Sequence, residues 1–511
     1  PLASVVPSAA ATPPNASWRG RSVLDRDLWQ SALLANRALL RDMVAVAACC
    51  WLTTALFSLG DVFSLQPMRL QSRRQVLVAN VIWYDAIYMV IHIAAHVPAL
   101  QRLRFLEHPD RPPSAWLCVK TFAIATAPYV LASLALSLGN ALLVAHFSST
   151  SEAFFNVKLD FYATNILGAV FHAGSAISYR NIVYTKTTAG PARLVHKQRR
   201  GAIAANATAP APQPSSPPDI PTVYRRPRFL PALLRALPLH VASLAAGGYV
   251  HLVSQWRVVA SGSAVVLAFL AASTLFKLAV QEGARRAMIH HRVINARIMS
   301  VAVGVPTVLI DTQARIVLLG AQSSRLVTVA LGVIEIAVRV GKLALLKRSI
   351  SRRERQLFNG GTTPAAASEI SRKSDDCHSD KQTELEAVFL RWKRQVLDLH
   401  TTEVLADMYA EYMALSCSAA VLCFYWRSPH YTRLRAVASL NPSSPVAIRS
   451  QIESLASQFA VELVVDFIAV ALESRAGLPF GLNPRLRAFL PVVLLTSSVL
   501  NVTICATMYL S

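Results

Sequence analysis

Residues 400–426 read HTTEVLADMYAEYMALSCSAAVLCFYW. From about Met408 to Trp426 the stretch is apolar enough to cross a bilayer as a helix, with Phe424, Tyr425 and Trp426 suited to the far interface. Its first half places His400, Glu403, Asp407 and Glu411 at steps of three, four and four residues. At about 100° per residue these four fall within roughly 60° of one another, on one helical face. A second stretch, SQFAVELVVDFIAVALESR at 457–475, puts Gln458, Glu462, Asp466 and Glu473 on one face in the same way. Carboxylates beside a lipid core are costly and turn toward a protein interior, a partner charge or a wet cavity. The two stretches therefore indicate membrane-spanning helices and also mark where to look for function.

The rest of the chain agrees on class. Of 511 residues, 53% are hydrophobic and only 15% charged, where soluble domains carry about 25% charged residues. Separated apolar runs of about 18–24 residues recur, long enough for transmembrane helices, and they lack the period-two alternation of a membrane barrel. The expected fold is all-α, a polytopic transmembrane helical bundle of about eleven spans with two long polar cytosolic linkers. The net charge of +23 invites a nucleic-acid reading. Against it, the basic residues flank apolar runs, and no zinc-finger spacing or RNA-binding signature is present. Anionic lipid headgroups at the basic loops are the simpler partner, and no nucleic acid is expected. Six of the seven cysteines (Cys49, Cys50, Cys118, Cys417, Cys423, Cys505) lie in apolar runs without a metal or disulfide pattern, and read as small buried hydrophobes.

In order, residues 1–42 read as a disordered Ala/Pro/Ser-rich tail followed by an amphipathic interfacial helix with Leu24, Leu28, Trp29 and Leu39 on one side. A first transmembrane block, 43–184, holds spans at about 43–59, 76–97, 119–143 and 159–179. A Pro/Ala/basic linker covers 185–228. The second block, 229–346, holds spans at about 237–256, 261–280, 298–319 and 326–346. A polar basic linker covers 347–380. The third block, 381–511, starts with an amphipathic helix expected to run straight into the span at 408–426, followed by spans at about 455–472 and 488–510. Lys and Arg cluster before the first span and after the fourth, sixth and eighth, which predicts a cytosolic N-terminus; nothing identifies which membrane.

Three groups of residues carry chemistry. In the second span Asp85, His92 and His96 share a face, and His172 lies in the fourth. These could bind a divalent metal, relay protons or ligate haem across two helices, with His146 a further haem candidate; the plain alternative is histidines in the headgroup region near Pro98, which is expected to close that helix. In the seventh span Asp311 and Arg315 are four apart and can neutralise each other, and Pro306 can kink or break the helix, a break supplying backbone carbonyls. In the eighth span Glu335, Arg339 and Lys342 share a face complementary to the acidic ones.

No Walker loop, GxSxG, HExxH or potassium-filter signature occurs, so an ATP-driven pump is disfavoured and no enzyme is expected. The leading expectation is a secondary transporter or channel-like protein handling a small cation or protons. Asp407, Glu411, Glu462, Asp466, Glu403 and Asp311 would hold the ion, with Arg315, Arg339 and Lys342, beside Glu335, setting the counter-charge. Carboxylates held together can exchange a proton for a cation. The alternatives are an interaction scaffold whose ionic faces only assemble the bundle, and a haem-binding membrane redox protein. The sequence names no cofactor and no oligomeric state.

Overall fold

A computed structural model describes residues 26–59, 70–148, 156–190, 224, 227–255, 263–290, 296–320, 325–358, 375–425, 428–431, 434, 445–476, 478 and 484–509. Among them are twelve helices: α1 (Arg26–Leu59), α2 (Arg73–Gln101), α3 (Ala115–Ser148), α4 (Leu159–Leu167), α5 (Ala169–Lys186), α6 (Phe229–Gln255), α7 (Ser263–His290), α8 (Ala296–Gly320), α9 (Arg325–Phe358), α10 (Asp375–Tyr425), α11 (Pro445–Arg475) and α12 (Pro484–Tyr509). The described residues form no strand, only an isolated bridge between Phe105 and Thr187.

Eight helical stretches are long and apolar enough to cross a membrane: Ala32–Ser58, Arg74–Gln101, Ala115–Phe147, Ala264–Arg286, Ile298–Leu319, Glu386–Tyr425, Gln451–Arg475 and Phe489–Tyr509. They mark the chain as a multi-pass membrane protein. Side-chain placement supports this, because it inverts the soluble pattern. Val90, Ile124, Leu131, Leu267, Leu275, Val333 and Val464 are exposed while Glu403, Glu411, Asp466 and Arg339 are buried.

The three further segments expected to span are helical but differ in character. The fourth is divided into α4 and α5 at Gly168. The fifth, in α6, interleaves His240, Ser243, His251 and Ser254 with its apolar residues. The eighth, in α9, carries Glu335, Arg339 and Lys342. The interfacial helix and first span expected at 21–59 form one helix from Arg26 onward. The linker expected from 347 begins as the last turns of α9, through Phe358. The tail before residue 26, positions 191–223 of the first linker and 359–374 of the second lie outside the described residues. Pro98 was expected to close its helix and Pro306 to kink or break one, yet α2 runs through Pro98 to Gln101 and α8 is unbroken through Pro306. Each proline removes one backbone donor, a loss that neighbouring groups in a packed membrane helix can absorb.

The chain forms two compact units. The first comprises residues 1–48, 259–418 and 439–494. In it α7 packs on α8, and α11 packs on α9 and α8. Trp29 of α1 meets Phe467 of α11 at a ring-centroid distance of 5.4 Å. The far end of α9 lies along the start of α10 through Leu346, Ile350 and Phe389, with the Arg353 guanidinium 4.4 Å above the Trp392 ring.

The second unit comprises residues 49–258, 419–438 and 495–511. In it α3 packs on α2, α4 and α5, and α6 packs on α4 and α5. Helix α2 starts in a capping box, in which the Ser72 hydroxyl accepts from the Gln75 amide and the Gln75 side chain accepts from the Ser72 amide. Val97, Leu100, Phe105, Cys118, Phe122 and Ile182 form an apolar cluster.

Two glycines set how closely these helices approach. A β carbon on Gly174 of α5 would lie 2.0 Å from Cγ of Tyr129 on α3, and one on Gly247 of α6 would lie 2.3 Å from Cε1 of Phe161 on α4. Gly247 thus serves close packing within a continuous helix. Gly174→Val and Gly247→Val should each cost about 1–3 kcal/mol by overpacking. Gly139→Ala, where nothing lies within 4 Å, should leave stability unchanged or raised. Thermal unfolding of the detergent-purified protein checks all three.

Candidate functional site

The two acidic faces meet basic residues inside the first unit. Helix α10 contributes Glu403, Asp407 and Glu411, and α11 contributes Gln458, Glu462 and Asp466. Helix α8 brings Asp311 and Arg315, α9 brings Glu335, Arg339 and Lys342, and α7 brings Lys277 and Gln281. Every candidate ion-binding residue and counter-charge expected from sequence lies in this one network.

Its geometry is a ladder. Lys342 Nζ donates to Glu403 at 2.9 Å and to the Gln281 side chain at 2.7 Å. Lys277 Nζ lies 2.9 Å from Asp311, 3.3 Å from Asp407 and 2.5 Å from Glu411. The Gln281 amide and the Thr307 hydroxyl also donate to Asp407, at 2.8 and 3.3 Å. Arg315 pairs with Glu462 and donates to Gln458. Asp311 and Arg315 remain within electrostatic reach of each other, as expected, but each takes its direct ion pair from another helix. Packing five helices around the same space brings a second helix's charge closer than the next turn of the same helix.

Arg339 occupies the centre. Its guanidinium lies 2.6 Å from Glu335, 2.8 Å from Glu411 and 2.8 Å from Asp466. Among the described residues, these three carboxylates form the one group of acidic, His or Cys side chains whose ligand atoms gather tightly enough for a metal, within 4.8 Å. The guanidinium already stands among them, so a metal ion would have to displace it. At one end of the ladder His400 Nε2 lies 4.0 Å from Glu473, both buried.

Beside the ladder is a cavity of about 140 Å³. Its lining mixes charged residues, among them Lys277, Asp311, Arg315, Glu335 and Glu411, with apolar ones such as Leu270, Leu331 and Val461. Its volume is well above the ~10–15 Å³ that one water requires. Among the described residues, the ion pairs join seven carboxylates (Asp311, Glu335, Glu403, Asp407, Glu411, Glu462, Asp466) to four cations (Lys277, Arg315, Arg339, Lys342), three more carboxylates than cations.

The second unit gathers the histidines. His92 lies 4.6 Å from His96 and 5.1 Å from His172, and His172 lies 4.9 Å from His240, ring centroid to ring centroid. Asp85 is on the His92 face of α2, whereas His146 stacks edge-on against Phe147. The His92–His172 and His172–His240 rings stand edge to face in direct contact, with no haem-ligating gap between either pair in this arrangement. The sequence reading passed over Lys277, Gln281, Tyr88 and His240. Lys277 is a lone cation in an otherwise apolar run, the signal that could have exposed it; His240 shares a face of α6 with Ser243 and His251, a weak polar pattern, while its partner His172 is on another helix.

No family model, curated protein or solved structure matches this chain. Function must therefore be argued from the sites themselves.

Arg339→Met should be severely destabilising, by about 3–5 kcal/mol, because it leaves three buried carboxylates without their shared cation. Replacing both members of one pair, Arg315→Met with Glu462→Met, should cost less than either single change. A double-mutant cycle of thermal or denaturant unfolding measures both.

Proposed function

We propose that the chain is a secondary transporter or channel-like protein that handles a small cation or protons at the ionic ladder of the first unit. The observation that carries this reading is that, among the described residues, three more carboxylates than cations stand in a buried network beside a cavity. A network serving only to join helices does best when its charges balance, since each uncompensated buried charge costs several kcal/mol. On this reading, protons or a cation taken up by the network make up the balance.

The roles follow from position. Asp311, Asp407, Glu411 and Glu462 line the cavity and would meet an entering ion. Glu403 and Asp466 lie further along the ladder, paired with Lys342 and Arg339. Lys277 bridges Asp311, Asp407 and Glu411, so movement of its flexible amine changes which carboxylate is open to an ion. Arg339 stays charged and anchors the centre. The cytosolic N-terminus and the attraction of the basic loops to anionic headgroups belong to the same reading.

Reconstituted into vesicles and assayed with a pH-sensitive dye and with sodium and potassium electrodes, the wild-type protein should pass protons or one of these cations. Asp407→Asn and Glu462→Gln should each lose most of that flux while the protein stays folded by thermal unfolding. Unchanged flux in both variants would remove the idea and leave the scaffold reading, in which loss of a carboxylate alters protein level and no transport.

A further inference from the structure

The histidine cluster of the second unit holds a second device, built from residues outside the ionic ladder. Tyr88 Oη lies 3.0 Å from His172 Nε2, and His172 Nδ1 lies 3.1 Å from His240 Nε2. His240 Nδ1 lies 3.3 Å from Asn165 Oδ1, and Asn165 Nδ2 donates to Ser243 Oγ at 2.6 Å. Four helices thus contribute to one unbroken hydrogen-bond chain: α2, α4, α5 and α6.

One backbone carbonyl settles the direction of every bond in it. His172 Nδ1 also lies 3.2 Å from the Gly168 carbonyl, which can only accept. His172 therefore carries its proton on Nδ1, and its Nε2 accepts from the Tyr88 hydroxyl. His240 must then accept at Nε2 and, being neutral, donates from Nδ1 to the Asn165 carbonyl oxygen. All the donors point the same way, from Tyr88 toward Ser243. A chain with aligned donors can pass a proton by a shift at each link, without any group changing place.

We propose that Tyr88, His172 and His240 form a proton relay that ends at His240. A proton arriving at Tyr88 Oη, from a hydronium ion or the carboxyl of Asp85 one turn earlier on α2, releases the tyrosine's own proton to His172 Nε2. His172 gives up its Nδ1 proton to His240 Nε2. Tyr88 ends neutral, His172 ends as the neutral Nε2–H tautomer, and His240 holds the added charge as imidazolium. The relay stops there, because the Asn165 amide accepts a hydrogen bond but does not pass a proton on.

The surroundings suit this. His240 is 6% exposed, and its ring contacts His172. Among the described residues, ionisable groups near the relay include Asp85, His92 and His96 on α2, Tyr179 on α5 against His96, and the Tyr162–His251 pair on α4 and α6. His92 binds Ser175 Oγ at 3.0 Å, and His96 donates to the His92 carbonyl at 2.8 Å. Both thus have partners of their own outside the relay.

Nuclear magnetic resonance of the full-length protein with isotope-labelled histidine, titrated in pH, tests this. In the wild type, His172 should switch from its Nδ1–H to its Nε2–H tautomer together with protonation of His240. His240→Gln keeps a hydrogen-bonding side chain but takes up no proton, and should lose the switch. A wild-type His172 that stays Nδ1–H while His240 protonates would overturn the relay, and that result stands even if the variant does not fold. A His240→Gln protein that switches at the wild-type pH would also overturn it. Saturable zinc binding by the wild type, lost on His172→Gln, would overturn it in favour of a metal site.

Discussion

The cost of holding a charge away from water governs this molecule. A carboxylate without a partner in a lipid-bounded bundle is expensive, so each helix that carries one must meet a helix that carries a cation. Helices α7, α8, α9, α10 and α11 are matched in this way, through Lys277, Arg315, Arg339 and Lys342. Apolar faces alone would pack these helices in many rotations about their axes. The ion pairs select one, because turning α10 by a single residue would carry Glu411 away from both Lys277 and Arg339.

The same rule accounts for what was legible in the sequence. The helical class and the acidic faces of α10 and α11 could be read because helical spacing and bilayer cost act within one segment. The complementarity of Glu335, Arg339 and Lys342 was readable as charge pattern alone. Which cation met which carboxylate was not. Asp311 and Arg315 satisfy the rule for an intrahelical pair, yet each turned to another helix, since tertiary proximity is invisible to spacing. Proline was a poor guide for a similar reason. Pro98 and Pro306 each lack a donor, but whether the helix ends there depends on what else surrounds the freed carbonyl.

The histidines illustrate the opposite limit. Asp85, His92 and His96 were conspicuous on α2, and His172 on α5, but the residue that completes the directional chain, His240, sits in an apolar helix, marked only by Ser243 and His251 on its face. The Gly168 carbonyl, which orders the whole chain, is a backbone atom at the join of α4 and α5 and has no sequence signature of its own. Polar networks assembled from four helices are properties of packing, and sequence supplies only their separate members.

Helix α10 is a single helix of 51 residues. At about 1.5 Å per residue it extends roughly 75 Å, more than twice the ~30 Å hydrocarbon layer. Its polar leading half, which carries Trp392 beneath Arg353, is therefore a stiff rod continuous with the acidic face at Glu403, Asp407 and Glu411. A torque applied to that rod turns the carboxylates through the same angle, so mechanical coupling between water-exposed surface and buried charge is inherent in one uninterrupted backbone.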